Sequence, residues 1–298
     1  MSLVTFLIIG LLGLAVGSFL NVLILRSVHG EKLTGRSHCV HCGHILTPKD
    51  LVPLFSYLFL KGQCRYCHKK LSLQYPLVEG ANLLLFLTAS LLVLNTFKFQ
   101  LTLPVLFTLG IDLLALSILL ALVVTDLRWG LIPNRIIIPG IILLVVVKIT
   151  YLVTIIIVTY RALAHDSLGL GKYLLPPYSD YLWIIVSRHL QTFGYDLLAG
   201  FTIGLVFYLL VLFTRGRAMG GGDIKLGFFV GLLNGWPLSL VTLLLAFTSG
   251  ALISVLLILI KRKKFGQTVP FGPFLAVSAI ITLFWGQEIF DWYINLIG

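Results

Sequence analysis

The sequence predicts an all-α polytopic membrane protein with about eight transmembrane helices and a small cysteine-rich loop domain. The mean hydropathy of the chain is +1.03. Only 11% of the 298 residues are charged, whereas soluble proteins carry about a quarter charged residues. Apolar runs close to the roughly 20 residues that cross a bilayer recur from end to end. The short alternating segments of an outer-membrane barrel do not occur in the sequence.

The apolar runs predict eight spans and three regions. The spans are 3–25, 76–96, 104–125, 136–158, 196–214, a short one at 225–235, 237–260 and 272–290. No Lys or Arg precedes the first run and no small-residue cleavage site follows it, so we interpret it as a retained helix. The regions are a first transmembrane helix at 1–25, a loop domain at 26–75 and a membrane domain at 76–298, with an extracytosolic loop at about 161–195.

The positions of the basic residues predict the orientation. Alternation of the eight spans places 17 of the 22 Lys and Arg residues on one face, and such an excess is typical of the cytosolic side. The loop domain is then cytosolic and both termini are extracytosolic. We therefore interpret the net charge of +11 as a topology signal and an attraction to anionic lipid, and not as a nucleic-acid interface.

All four cysteines lie in the loop domain as two C-x-x-C pairs, Cys39 with Cys42 and Cys64 with Cys67. The pairs are 21 residues apart, just beyond the usual spacing of a four-thiolate zinc site. Each pair can supply two thiolates to a tetrahedron, and a reducing cytosol argues against disulfides. The pattern predicts a closed structural zinc site, in which a neighbouring histidine could replace one thiolate. The alternative is a thiol-rich, redox-active loop without metal.

Two carboxylates are predicted to meet at the cytosolic face. Asp126 ends the third span, and Asp223 follows the glycines of MGGGDIKLG (219–227). Two carboxylates in a poorly solvated site do not both ionise, so one can activate water while its protonated partner polarises a peptide carbonyl. The glycines before Asp223 would allow an extended substrate to approach closely.

Simpler roles stay open for both carboxylates. Asp223 could cap the start of a helix, and Asp126 could pair with Arg128. Asp112 belongs to the helix of Asp126 but is about 21 Å away along it, so it is not part of the pair. The sequence contains no H-E-x-x-H zinc-protease motif.

Several blocks of the sequence resemble the type IV prepilin peptidases, a family of GxGD-type membrane aspartic proteases. AMGGGDIKLG (218–227) is similar to the GxGD signature, and TDLRWGLIPN (125–134) is similar to the family's first aspartate motif. Further blocks follow in the family's order: GSFLNVLILR (17–26), the two C-x-x-C pairs, LVPLFSYLFLKGQCRYC (51–67), YPLVEG (75–80) and PFGPFLA (270–276). Arg128 departs from the pattern, because many members carry Asp there.

The resemblance implies a bacterial cytoplasmic-membrane endopeptidase that removes the basic leader of type IV prepilins or of the pseudopilins of type II secretion. It also implies N-methylation of the new N-terminal residue with S-adenosylmethionine. By motif, Asp126 and Asp223 are the catalytic pair, and the four cysteines belong to the segment linked to methylation. Candidates for substrate binding or methyl transfer are Glu79, Gly220, Gly222 and Lys225.

Three alternatives to this function are considered. The first is a peptidase without methyltransferase activity. The second is a presenilin-like protease, which would carry its first aspartate deeper in a span after Tyr, whereas Thr125 precedes Asp126. The third is a transporter or scaffold that recruits partners through a zinc loop and would favour mid-span ionisable residues such as Asp112 and Lys148. The sequence does not locate an S-adenosylmethionine pocket or define an oligomeric state, and Glu79 could simply stabilise a helix start.

Overall fold

A computed structural model describes residues 3–96, 102–165, 171–216, 219–261 and 269–297. Over these residues the chain is helical apart from turns, loops and two isolated β-bridges. The α-helices are α1 (Leu3–His29), α2 (Phe55–Phe59), α3 (Gln74–Thr96), α4 (Leu103–Trp129), α5 (Asn134–Ala164), α6 (Tyr181–Thr214), α7 (Gly221–Asn234), α8 (Leu238–Leu259) and α9 (Gly272–Ile297). The predicted all-α class is confirmed.

Seven of these helices are long and apolar enough to cross a membrane, namely α1, α3, α4, α5, α6, α8 and α9. The eighth predicted span, 225–235, corresponds to α7, which has 14 residues. At 1.5 Å per residue α7 is about 21 Å long, shorter than the roughly 30 Å of hydrocarbon in a bilayer. The described part of the chain therefore has seven candidate spans and one shorter helix, where eight spans were predicted.

The extracytosolic loop expected at 161–195 is shorter in the structure. The helix α5 continues to Ala164 and α6 begins at Tyr181, so the connection covers only 165–180. Residues 166–170 of that connection lie outside the described residues. Apolar and aromatic residues after Tyr181 extend α6 by several turns, because they continue the pattern of the span that follows.

Glycines let α6 and α7 pack backbone against backbone. A Cβ on Gly227 would lie 2.6 Å from the ring of Phe207, and a Cβ on Gly231 would lie 2.7 Å from the Cα of Gly200. These contacts run in opposite directions along the two helices, so the pair is antiparallel. Small residues spaced four apart are the usual basis of such close packing between membrane helices.

An ion pair joins two of the long helices inside the bundle. The Nζ of Lys148 on α5 donates to Oδ2 of Asp196 on α6 at 2.5 Å, and both side chains are largely buried. The Asp196 carboxylate also packs against Gly235, which caps the C-terminus of α7. Asp196 thus connects α5, α6 and the end of α7.

The loop domain is fastened to α1 by one arginine. The buried guanidinium of Arg26 donates to five consecutive backbone carbonyls, those of Lys32, Leu33, Thr34, Gly35 and Arg36. A planar guanidinium carries enough donors to serve such a ring of acceptors, whereas a lysine does not. The chain therefore folds back directly over the end of α1 as it enters the loop domain.

Candidate active site

Asp126 lies in the last turn of α4 and is almost fully buried, with 6% of its surface exposed. The helix ends three residues later because Gly130 adopts the left-handed conformation (φ 62°), and the Gly130 N–H donates to the Asp126 carbonyl at 2.9 Å. The chain then crosses directly to α5. The Asp126 side chain is thus held at one end of the bundle by a well-formed helix end.

Asp223 lies in the first turn of α7 and is 8% exposed. Its Oδ2 accepts the N–H of Gly220 at 3.1 Å. Gly220 is the N-cap of α7 and Asp223 is the third helical residue, so Asp223 supports the helix start from its first turn and is not the N-cap itself. A Cβ on Gly222 would lie 2.9 Å from the Cβ of Ile132, in the connection that follows α4. The glycine at 222 therefore brings the start of α7 against the segment that leaves Asp126.

The start of α9 completes this end of the bundle. The backbone N–H of Gly272 donates to the Asp126 carboxylate. A Cβ on residue 272 would lie only 2.4 Å from Oδ2 of Asp126, closer than side-chain atoms can come. Gly272 belongs to the PFGPFLA block (270–276), whose resemblance to the family assigned no role to this glycine. Three helices, α4, α7 and α9, therefore form the candidate site.

The pKa of Asp223 depends on burial and on the charge of Asp126. Burial raises the pKa of Asp223 from its ordinary 3.8 to about 6, the Gly220 N–H opposes this shift, and the negative charge of Asp126 adds to it. Asp223 lies in α7, which is not one of the seven candidate spans. A carboxylate with a raised pKa beside a second carboxylate is the arrangement in which one proton is shared by two acids.

The two neighbouring basic residues have partners other than these carboxylates. Arg128 donates to Oε1 of Gln74 and its guanidinium lies over the Trp129 ring, 4.8 Å from the centroid. The Nζ of Lys225 donates to Oδ1 of Asn134 at 2.6 Å. The alternative pairing of Asp126 with Arg128 is therefore not present. Lys225 joins the start of α7 to the start of α5.

Glu79 lies in the second turn of α3 and is 6% exposed. Its Oε2 accepts the backbone N–H of Leu54 at 2.7 Å, and Ser18 of α1 also hydrogen-bonds to the carboxylate. On the α1 side, a Cβ on Gly17 would lie 2.8 Å from the Glu79 Cα. Glu79 therefore links the loop domain to two helices, a contact that helix-start stabilisation alone would not require.

The four cysteines converge in the loop domain. Their sulfur atoms all lie within 4.8 Å of one another, and Sγ of Cys39 is 4.0 Å from Sγ of Cys67. Thiolates around a tetrahedral zinc with Zn–S bonds of about 2.3 Å would be roughly 3.8 Å apart. The donor set and its spacing therefore fit a four-thiolate site, with Cys39 and Cys64 buried and Cys42 exposed.

The two cysteine pairs sit on matching turns. The Cys39 N–H donates to the His44 carbonyl and the Cys64 N–H donates to the Lys69 carbonyl, each at 2.9 Å. The residue after each pair has a positive φ, 69° at Gly43 and 55° at His68. Elsewhere in the domain the His41 ring contacts the Lys70 carbonyl and the His44 ring stacks on Tyr66. In the described residues the group of side chains that could hold a metal ion consists of the four cysteines, without a histidine.

Two protein-family models match this chain. Residues 113–255 match the Type IV leader peptidase family, and residues 11–93 match the Bacterial Peptidase A24 N-terminal domain. The first match contains both aspartates, and the second contains Glu79 and all four cysteines. No solved structure matches the chain.

Curated relatives cover the chain almost completely. A prepilin leader peptidase/N-methyltransferase of Legionella pneumophila is 31% identical over 97% of this chain and 94% of its own length. A protein of the same name from Pseudomonas putida is 30% identical over 96% of this chain and 93% of its length. Another from Bacillus subtilis is 27% identical over 97% and 98%.

Proposed function

The chain belongs to the type IV leader peptidase family, and from this premise we propose that it is a membrane aspartic endopeptidase that cleaves the leader from type IV prepilins or pseudopilins. One observation carries the proposal: the buried carboxylates of Asp126 and Asp223 converge on one end of the bundle, where the negative charge of Asp126 helps to raise the pKa of Asp223. No other described pair of carboxylates combines burial, convergence and the family's two aspartate motifs.

The two aspartates take different roles in the proposed reaction. Asp223 retains the proton, because its pKa is raised by burial and by the neighbouring charge. Asp126 is then the ionised partner and accepts a proton from water as the water attacks the scissile carbonyl. Asp223 donates a hydrogen bond to that carbonyl oxygen, and a proton passes from the pair to the leaving amine. Each turnover returns the pair to one proton.

The glycines before Asp223 are proposed to receive the substrate backbone. Gly220 and Gly221 are exposed at the start of α7, and without side chains they would let an extended peptide reach the carboxylates. Gly222 instead packs on Ile132. Lys225 is held by Asn134, so we propose that it positions α7 rather than binding the peptide.

The proposed orientation follows from charge. We place this end of the bundle on the cytosolic side of the bacterial cytoplasmic membrane, because it carries most of the Lys and Arg residues. A basic leader would then arrive from the cytosol while the apolar pilin helix stays in lipid. Both termini would be extracytosolic, because α1 ends at this end of the bundle, where Arg135 of α5 donates to the Glu31 carbonyl, and α9 begins there beside Asp126. The 14-residue α7, antiparallel to α6, returns the chain toward the opposite side.

Methylation of the new N-terminus is the second proposed activity, with S-adenosylmethionine as the methyl donor. The curated relatives carry the name N-methyltransferase, and the cysteine-rich domain of this chain lies within the matched N-terminal region. Glu79 is proposed to serve this activity, because its carboxylate is buried where the loop domain meets α1 and α3. We assign no further residue to the donor.

The four cysteines are proposed to hold a structural zinc ion. When bound, zinc would stabilise a domain that has few apolar contacts of its own, without an open coordination position for chemistry. Metal analysis of the reduced protein should find one zinc per chain, and Cys64→Ser should lose it. His41→Ala is the matched control and should keep it. Zinc-free reduced protein with a folded loop domain would exclude this site.

The central test incubates the purified protein with a synthetic prepilin and S-adenosylmethionine and weighs the products. Asp126→Asn and Asp223→Asn should each abolish leader cleavage while the protein remains inserted. The Asp291→Asn variant, changed at an exposed position near the far end of α9, should cleave normally. Near-normal cleavage by either active-site variant would overturn the assignment. A cleaved product that lacks the mass of a methyl group would indicate a peptidase without methyltransferase activity.

A further inference from the structure

The short helix α2 and the residues before it expose an unusually apolar surface. Five large side chains are exposed over only nine residues: Leu51, Val52, Phe55, Leu58 and Phe59. Phe59 is 82% exposed and Leu58 is 69% exposed. Burying such side chains is strongly favourable, so a surface of this kind marks a contact with lipid or with another chain.

The opposite face of α2 is occupied by the loop domain itself. The Tyr57 hydroxyl donates to the Leu71 carbonyl, and the Tyr57 ring packs where a Cβ on Gly62 would lie, 2.9 Å from the hydroxyl oxygen. The helix therefore has one face toward the domain and one face free. Phe55, Leu58 and Phe59 are on the free face.

The backbone of this segment is hydrogen-bonded internally. The N–H groups of Ser56, Leu58 and Leu60 donate to carbonyls of Val52, Leu54 and Ser56 at 3.0 Å. The Leu54 N–H, at the start of the turn, donates to Glu79. A segment that enters the apolar part of a bilayer must satisfy its own polar groups in this way.

The contact between Leu54 and Glu79 fixes the level of the segment relative to the spans. Glu79 is five residues inside α3, which is a candidate span from Gln74 onward, so it lies about 7.5 Å along that helix. On α3 itself, Leu77 and Leu84 are exposed and seven residues apart, so they lie on one apolar face of that helix. The hydrogen bond from Leu54 to Glu79 thus holds the start of α2 at the level of the first turns of a candidate spanning helix.

Basic side chains flank the apolar surface at both ends. Lys49 precedes it and Lys61 follows it, and both are exposed. The nearby acid Asp50 is neutralised by Arg65 at 2.7 Å. Lysines at the edge of an apolar surface suit the anionic head groups of a leaflet, whereas two copies of the chain would oppose like charges there.

We propose that residues 51–60 form an interfacial membrane anchor, with Phe55, Leu58 and Phe59 among the acyl chains of anionic lipids and Lys49 and Lys61 at their phosphates. The loop domain is then docked on the leaflet beside α3. This inference concerns a surface and does not depend on the catalytic assignment.

Photocrosslinking in a defined bilayer tests the anchor. The full chain carries a genetically encoded benzoylphenylalanine in place of Phe59 and is placed in nanodiscs of phosphatidylcholine with phosphatidylglycerol. Illumination should yield lipid adducts, identified by mass spectrometry. The same photoreactive residue in place of Tyr57, on the domain-facing side of α2, is the matched control and should react within the chain. Adducts to a second copy at position 59, or only intrachain adducts there, would overturn the proposal.

Charge reversal tests the head-group contact separately. Lys49→Glu combined with Lys61→Glu should reduce the ratio of phosphatidylglycerol to phosphatidylcholine adducts at position 59 severalfold. Circular dichroism would establish that the helical content is unchanged. An unchanged ratio of the two lipid adducts in a folded variant would show that Lys49 and Lys61 do not contact the anionic head groups.

Discussion

The Asp126 carboxylate lies against the backbone of Gly272, so that α9 begins where α4 presents its acid. A Cβ on residue 272 would lie 2.4 Å from Oδ2 of Asp126. The relationship explains why the PFGPFLA block carries a glycine at this point. It also makes the position of Asp126 dependent on two helices that are far apart in the sequence.

Gly272→Ala is therefore expected to impair leader cleavage strongly. The added methyl group must displace the Asp126 carboxylate or the start of α9, and misplacement by about 1 Å can reduce a rate by about 100-fold. The measurement is kcat/KM for a synthetic prepilin. Gly110→Ala on α4, where a Cβ would meet open space, is the control and should cleave normally. A fully active Gly272→Ala variant would show that this contact does not position the acid.

Asp223→Asn is expected to be inactive but more stable than the parent protein at neutral pH. The folded-state pKa of Asp223, about 6, lies above its ordinary 3.8. Between about pH 4 and pH 6 the folded protein therefore binds a proton that the unfolded chain has lost. The contribution of this group to stability is full below about pH 4 and is lost as the pH rises through about 6.

Asparagine resembles the protonated acid, so the variant escapes that loss. Thermal unfolding in detergent should give a higher Tm for Asp223→Asn than for the parent at pH 8, with a smaller difference at pH 5. Asp180→Asn serves as the control for removal of a charge. A parent protein that is stabilised as the pH rises from 5 to 8, relative to the variant, would contradict the raised pKa.

Lys148→Met is expected to destabilise the bundle by about 3–5 kcal/mol, because it leaves the largely buried Asp196 carboxylate without its ammonium partner. The double variant Lys148→Met with Asp196→Asn should recover much of that loss, since no unpaired charge remains at Asp196. Thermal unfolding measures both. Lys172→Met, at an exposed position, should be neutral. Equal losses in the single and double variants would mean that the pair contributes by packing alone.

Two substitutions separate the structural role of Glu79, which holds the loop, from its proposed role in methylation. Glu79→Gln keeps an oxygen for the Leu54 N–H, so the loop should stay in place and leader cleavage should continue, while methylation falls. Glu79→Ala should also increase hydrogen exchange over residues 52–58. Full methylation by Glu79→Gln would restrict Glu79 to holding the loop.

The part of the site that could be predicted from the sequence is the part that depends on order along the chain. Span alternation alone brings the end of the third apolar run and the MGGGD turn to the same face. The two C-x-x-C pairs likewise define their cluster by spacing. The alternative pairing of Asp126 with Arg128 was inferred from their closeness in the sequence. In the structure Arg128 instead donates to Gln74, which is 54 residues away.

Contacts that depend on the relative depth of helices were not predictable. Lys148 and Asp196 are 48 residues apart in the sequence, and their pairing depends on how far α5 and α6 slide past each other. The role of Gly272 depends in the same way on where α9 begins relative to α4. The apolar run of α7 was predicted to be a span, but α7 has only 14 residues. An apolar run alone does not reveal whether its ends reach lipid head groups or other helices.

The glycine contacts between α6 and α7 determine how motion reaches the candidate site. Where side chains separate two packed helices, rotamer changes allow one helix to tilt slightly while its neighbour keeps its position. At Gly227 and Gly231 those spacers are missing and α7 rests directly on the α6 backbone and the Phe207 ring. We therefore expect Asp223 to follow any displacement of α6, including one that begins at Tyr181, at the other end of that helix.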